Sequence, residues 1–295
     1  AVAPTASPDT QPMTPYDSGY AAMATHVDDC LSIGRDEGLN NFQATLQRKF
    51  KITVTEDPTV YAGVQIERNR ARKWLKLHQL GHHTKILEKN NMLDCKPADT
   101  PMLPGTTKAM MLLPTDPPDP KALKEYQRFV GDLIWLIKTR PDLLFTINLF
   151  SRFLQCATRR HLEIARGRPL RFLRKTMHYG LVFSPGDGEW IVSGASDSDL
   201  GGDLKTARST LGHYLRLGEF GSIVTHSGLD RKVSTATGQA ETYAMQGAVK
   251  DTVWVRGFMR ELGVPMDKPT PLRKTTTECS NKAPRPSTTP SPSIT

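Results

Sequence analysis

Apolar and polar positions follow different rhythms in different parts of the chain. Near the start, short strand-forming runs at residues 21–25 and 30–33 flank Asp28 and Asp29, a pattern that predicts a β-hairpin with both carboxylates at its tip. Leu39, Phe42, Leu46 and Phe50 then recur at helical spacing. Ile52 to Val54 and Tyr61 to Ile66 alternate as strands, with Asp57-Pro58 as the turn between them, and residues 74–77 give a further strand. Residues 79–91 read as a helix carrying Leu80, Ile86 and Leu87 inward.

Between residues 95 and 120 proline dominates, which predicts an extended linker and an internal boundary. Two strong helical patterns follow. The first, over residues 121–138, carries Tyr126, Phe129, Val130, Leu133 and Leu136 on one face. The second opens at Thr139-Arg140-Pro141-Asp142, with proline in the first turn, where its missing N–H costs nothing, and continues through Leu144, Ile147, Phe150 and Leu154. A basic segment comes next: Arg159, Arg160, Arg166, Arg168, Arg171, Arg174 and Lys175 surround the single acid Glu163, and Gly167 with Pro169 should break the helix there. From Gly180 the pattern changes to a mostly antiparallel meander, with Pro185 to Gly188 as one of its turns. A long helix over 240–262 can turn Tyr243, Ala244, Ala248, Val255 and Phe258 toward a sheet. The ends, 1–19 and 265–295, lack a core pattern and are expected to be disordered.

Composition adds bounds to this picture. A chain of 295 residues can hold one large domain or two ordinary ones. No run approaches the ~18 apolar residues that a membrane span requires. Four dispersed cysteines show no metal spacing and suggest a reducing, intracellular setting, cytoplasm or nucleus. The net charge of +9 and pI near 9.4 favour a polyanionic partner, nucleic acid first.

The candidate chemistry is acidic. Two like charges in one turn are costly without a cation beside them, and Mg²⁺ is the hard ion that suits carboxylate oxygens; an exposed Asp-Asp turn is the simpler alternative for Asp28 and Asp29. Farther on, Asp197, Asp199 and Asp203 follow a strand, and Glu241 opens a helix. A carboxylate at a strand end with another at the start of a helix on that sheet is how ribonuclease H sites begin to gather metal ligands. Turn-forming aspartates and an acid at a helix N-terminus explain the same residues without a metal. His82 and His83 are expected at the surface, the four tryptophans in cores or against sheets.

Taken in order, these pieces resemble the Pol polyproteins of copia-type retrotransposons. The resemblance runs from about Thr25 to Gly263 through His26-Val27-Asp28-Asp29, Gly63 to Glu67, Leu77-His78-Gln79, Asp94-Cys95-Lys96-Pro97-Ala98-Asp99-Thr100-Pro101 and Val130-Gly131. It continues through Thr139-Arg140-Pro141-Asp142, Ser151-Arg152-Phe153, Ala195 to Asp199, Arg208 to Tyr214, Ala240-Glu241 and Trp254.

The resemblance implies an α+β chain. Residues 20–110 would be part of a reverse transcriptase palm, 111–178 thumb or connection helices, and 179–264 a ribonuclease H-like domain lacking its last strands. Asp28 and Asp29 would be metal-binding aspartates of the polymerase, with Asp28 more directly on the ion and His26 near the primer. Asp197, or Asp199 in its place, and Glu241 would be the first two hydrolase carboxylates. The basic run from Arg159 to Lys175 would lie near the template–primer. The ancestral activity would be RNA-directed DNA synthesis with hydrolysis of the RNA–DNA hybrid, dependent on Mg²⁺. The chain supplies neither the first palm aspartate nor the last hydrolase aspartate, so each metal set is incomplete and the expectation is a chain inactive by itself. The rival expectation is a non-catalytic nucleic-acid-binding relic.

Overall fold

Two strands, Ala21–His26 (β1) and Asp29–Gly34 (β2), form the first hairpin, and Asp36–Lys49 (α1) follows it. The computed structural model describes residues 14–114, 119–184, 191–218 and 220–274. Pairing of His26 with Asp29 leaves Val27 and Asp28 as the turn, so Asp29 opens β2 instead of sharing the tip. Only Gly38 of α1 is buried, so the helix and hairpin make no core of their own. Tyr20 is buried just ahead of β1 and donates its hydroxyl to the Leu262 carbonyl at 3.1 Å, from the far end of the chain.

The expected strand at Ile52 to Val54 does not form, and both side chains are exposed. Alternation alone cannot hold a strand without a neighbour to pair with. Instead Val60–Tyr61 (β3), Val64–Asn69 (β4) and Trp74–His78 (β5) make an antiparallel sheet. Its first turn is Ala62-Gly63, with φ of 47° and 76°, the left-handed pair that two-residue hairpins demand. Next comes Leu80–Lys89 (α2), which buries Ile86 and Leu87 as its periodicity predicts.

The proline-rich stretch is not a linker. Thr106–Met111 (α3) interrupts it, and Met110 and Met111 enter the main core. Proline counts report backbone stiffness, not exposure; here arginines of the later helix at 168–175 fasten the extended chain at 93–100 against the helices. Pro120–Ile134 (α4) begins under Asp119, whose carboxylate accepts from the amides of Lys121 and Ala122 at 2.9 and 3.2 Å. Its face of Tyr126, Phe129, Val130, Leu133 and the following Leu136 is buried throughout. Each such side chain stabilises by roughly 1.5–3 kcal/mol on burial. Leu144–Ser151 (α5), Arg159–Arg166 (α6) and Arg168–Lys175 (α7) complete this helical core, with the break at Gly167 where glycine and proline predict it.

Gly180–Phe183 (β6), expected to open the later meander, pairs antiparallel with β5 and so belongs to the first four-stranded sheet. A Cβ on Gly180 would stand 2.3 Å from the Leu77 carbonyl oxygen, so only glycine permits the pairing. The turn expected at Pro185 to Gly188 lies outside the described residues, as does Trp190.

The second sheet contains Val192–Ser198 (β7), Thr210–Leu217 (β8) and Phe220–Leu229 (β9), antiparallel in sequence order. Thr237–Glu261 (α8) packs on it through Ala240, Ala244, Ala248, Thr252 and Val255. Tyr243 and Phe258, expected on that face, are not among the residues it buries there. Beyond α8, where a disordered tail and missing strands are expected, Leu272–Lys274 (β10) pairs parallel to β7. Arg256 pins the intervening segment by donating to the carbonyls of Met266 and Lys268 and to the Thr270 hydroxyl, and Met266 is buried. Periodicity misses a three-residue strand anchored by polar contacts. Residues 275–295 lie outside the described residues.

Candidate functional site

The first acidic pair stands in the open. Asp28 occupies the hairpin turn and Asp29 the adjoining strand position, and His26 through Cys30 are all exposed. Among the described residues no three His, Cys, Asp or Glu side chains gather in a way that could hold a metal ion. Two carboxylates without further oxygen ligands fit Mg²⁺ poorly, since that ion demands a near-complete octahedral set.

The second acidic set is divided by the sheet. Along β7, Val192, Gly194 and Ser196 are buried in alternation, and the Ser196 hydroxyl lies 3.9 Å from Met245 Sδ of α8. Asp197 therefore points to the opposite face. It is exposed there, where its carboxylate accepts the Ser198 amide at 2.9 Å. Glu241 belongs to α8, on the other side. Its neighbour is Lys274 at the end of β10, with Nζ 3.6 Å from Oε2. The resemblance pairs Asp197 with Glu241; the strand register separates them.

The remaining aspartates of that loop have structural employment. Asp199 accepts the Thr210 amide while its own amide donates to the Thr210 carbonyl, so it fastens the loop back onto β8. Asp203 is buried and accepts from the amides of Lys205 and Thr206 and from the Thr206 hydroxyl, at 2.9–3.1 Å. Arg152 Nη1 donates to its other oxygen at 3.1 Å. Burial opposes ionisation of Asp203, but the bonds from Thr206 and the Arg152 charge outweigh it and hold the carboxyl below the usual carboxylate range. The Arg152 guanidinium also donates to Thr210 Oγ1, so Ser151-Arg152-Phe153 ties the helical core to the second sheet.

Asp197 and Asp199 border an open groove of about 670 Å³. Asp142, Phe145, Tyr214 and Thr225 also line it. Its exposed Asp197 and its lack of any lysine or arginine among the described residues of the lining suit a polyanion poorly.

The basic run is largely occupied within the protein. Arg168 donates to the Thr100 carbonyl and hydroxyl, Arg171 to the carbonyls of Lys96 and Pro97, and Arg174 to that of Leu93, while Lys175 pairs with Asp99. Together they clamp the Asp94 to Pro101 stretch against α7. Arg166 pairs with Glu125 at 3.3 Å and Arg160 with Glu163 at 2.8 Å. Of the seven, Arg159, Arg160 and Lys175 are exposed.

Sequence patterning misses a buried polar centre next to this clamp. Arg140 is 1% exposed. It donates to both Asp142 oxygens at 2.9 and 2.7 Å, and to the carbonyl and hydroxyl of Thr176 at 3.0 and 2.7 Å. Phe172 and Tyr179 flank its guanidinium, each 5.6 Å from ring centre. Close by, Thr139 donates to Gln79 Oε1 at 2.8 Å.

His83, expected at the surface, is fully buried, with Nδ1 2.7 Å from the Met177 carbonyl and no partner at Nε2 among the described residues. A carbonyl only accepts, so Nδ1 carries the proton. Desolvation lowers its pKa to about 4, helped by the Arg140 charge and opposed by the Met177 bond. Helical spacing places position 83 near the inward-facing Ile86 and Leu87, which is the one sequence clue to its burial. Two tryptophans depart from expectation the other way: Trp135 is half-exposed beneath the Lys138 ammonium, and Trp254 stacks on Phe258 in the open.

No family model matches the chain. It is 29% identical over 252 residues to the Retrovirus-related Pol polyprotein from transposon TNT 1-94 of Nicotiana tabacum, a match covering 84% of this chain and 19% of that protein. To the corresponding polyprotein from transposon RE1 of Arabidopsis thaliana it is 30% identical, across 84% of this chain and 16% of the relative. A shorter match, 32% identical over 131 residues, takes in 44% of this chain and 90% of Secreted RxLR effector protein 161 of Plasmopara viticola. The chain thus spans less than a fifth of the two polyproteins' length.

Proposed function

Because the chain belongs to the Pol polyproteins of copia-type retrotransposons, we propose that it carries the later part of a reverse transcriptase palm, thumb or connection helices and a ribonuclease H-like sheet. By itself it turns over neither reaction. The observation that carries the inactive reading is the placement of Asp197 and Glu241 on opposite faces of the second sheet, with an ammonium beside the latter. Supporting the ribonuclease H-like part is the order β10-β7-β8-β9, with β10 parallel to β7 after the α8 crossover.

Where such carboxylates converge, a pair of Mg²⁺ ions activates an attacking oxygen and steadies a leaving group. Here they diverge. The partner class that fits is nucleic acid, an RNA–DNA hybrid first, drawn by the net charge of +9. Arg159, Arg160 and His26, all exposed, are the groups to meet it. No helix among the described residues is long and apolar enough to cross a membrane.

The test is turnover by the purified chain with Mg²⁺ or Mn²⁺, on a primed RNA template and on a labelled hybrid. Both products should stay at background. Primer extension that Asp28→Asn abolishes, or hybrid cleavage that Glu241→Gln abolishes, overturns the reading.

A further inference from the structure

We infer that Lys274 is a built-in cation that closes the Glu241 position to divalent metal ions. The inference rests on reading Glu241 as the hydrolase-type carboxylate proposed above. Parallel pairing sets Lys274 beside Ser196, and residues side by side in a parallel pair share a face. Ser196 faces α8, so Lys274 does too, and its Nζ lies 3.6 Å from Glu241 Oε2.

A hard divalent ion at Glu241 would need further oxygens from this face. The adjoining strand end offers a positive charge in their place. That charge repels a second cation and already compensates the glutamate. Asp197 cannot correct the deficit, since it belongs to the other face. Both members of the pair are partly exposed, so exchanging them has little effect on stability.

Mn²⁺ is the probe, read by the loss of its free electron paramagnetic resonance signal. Wild-type protein and Glu241→Gln should titrate alike, because Glu241 holds no ion. Lys274→Glu should gain one site of about millimolar Kd, and the double variant Lys274→Glu with Glu241→Gln should lose it by at least about tenfold. Wild-type binding that Glu241→Gln removes overturns the inference and needs no variant at 274. Failure of a folded Lys274→Glu protein to gain a site also overturns it. Hybrid cleavage by the wild-type chain sinks the broader reading of inactivity, so the two failures are distinguishable.

Discussion

The Arg140 centre and the β1–β2 hairpin both place like or unlike charges next to proline- or turn-rich sequence, yet they are built oppositely. Around Arg140 each donor meets a protein acceptor inside a helical core, whereas Asp28 and Asp29 face water on a two-stranded ribbon. An isolated two-stranded hairpin is marginally stable at best. The two motifs are equally prominent in the resemblance, Thr139 to Asp142 in one case and His26 to Asp29 in the other. What separates them is whether the surroundings fix the charge. The first is a structural fastening; the second is chemistry without a frame.

The sharpest way to break this contrast is Arg140→Ala. It strips the buried Thr176 carbonyl and hydroxyl of their partner and empties a closed side-chain site, which costs about 3–5 kcal/mol. Urea unfolding of the variant should show this as a lower midpoint at unchanged slope. A loss below about 1 kcal/mol would mean that the centre is dispensable.

An intermediate effect follows from His83. Its folded pKa of about 4 lies below the usual 6.5, so between these values the unfolded chain binds a proton that the folded chain refuses. Stability must then fall as the pH drops through that window, by at most about 3 kcal/mol, and be regained as it rises. His83→Gln should flatten that part of the profile. An unchanged slope would assign the acid sensitivity elsewhere.

The smallest change is expected at the hairpin. Asp28→Asn and Asp29→Asn should each shift the unfolding free energy by no more than about 0.5 kcal/mol, since both side chains are exposed. Destabilisation above about 1.5 kcal/mol by either would show that these carboxylates hold the fold together after all.

The helical core was the most legible part of the fold. Phe129, Val130 and Leu133 repeat at the period of a buried helix, and Gly167 marks the break between α6 and α7. Elements held by polar contacts were not legible: β10 depends on Arg256, and the 93–101 stretch depends on arginines that read as a free basic face. The candidate acids were named by residue type, but a two-residue period decides which face each takes. That is why Asp197 and Glu241 part company although their spacing invites a pair.

One bond gives the molecule an unexpected economy. Tyr20, ahead of the hairpin, is fastened to Leu262 at the end of the longest helix. Removing the segment that follows α8 would therefore loosen the segment ahead of β1 as well, though the two lie 242 positions apart in sequence.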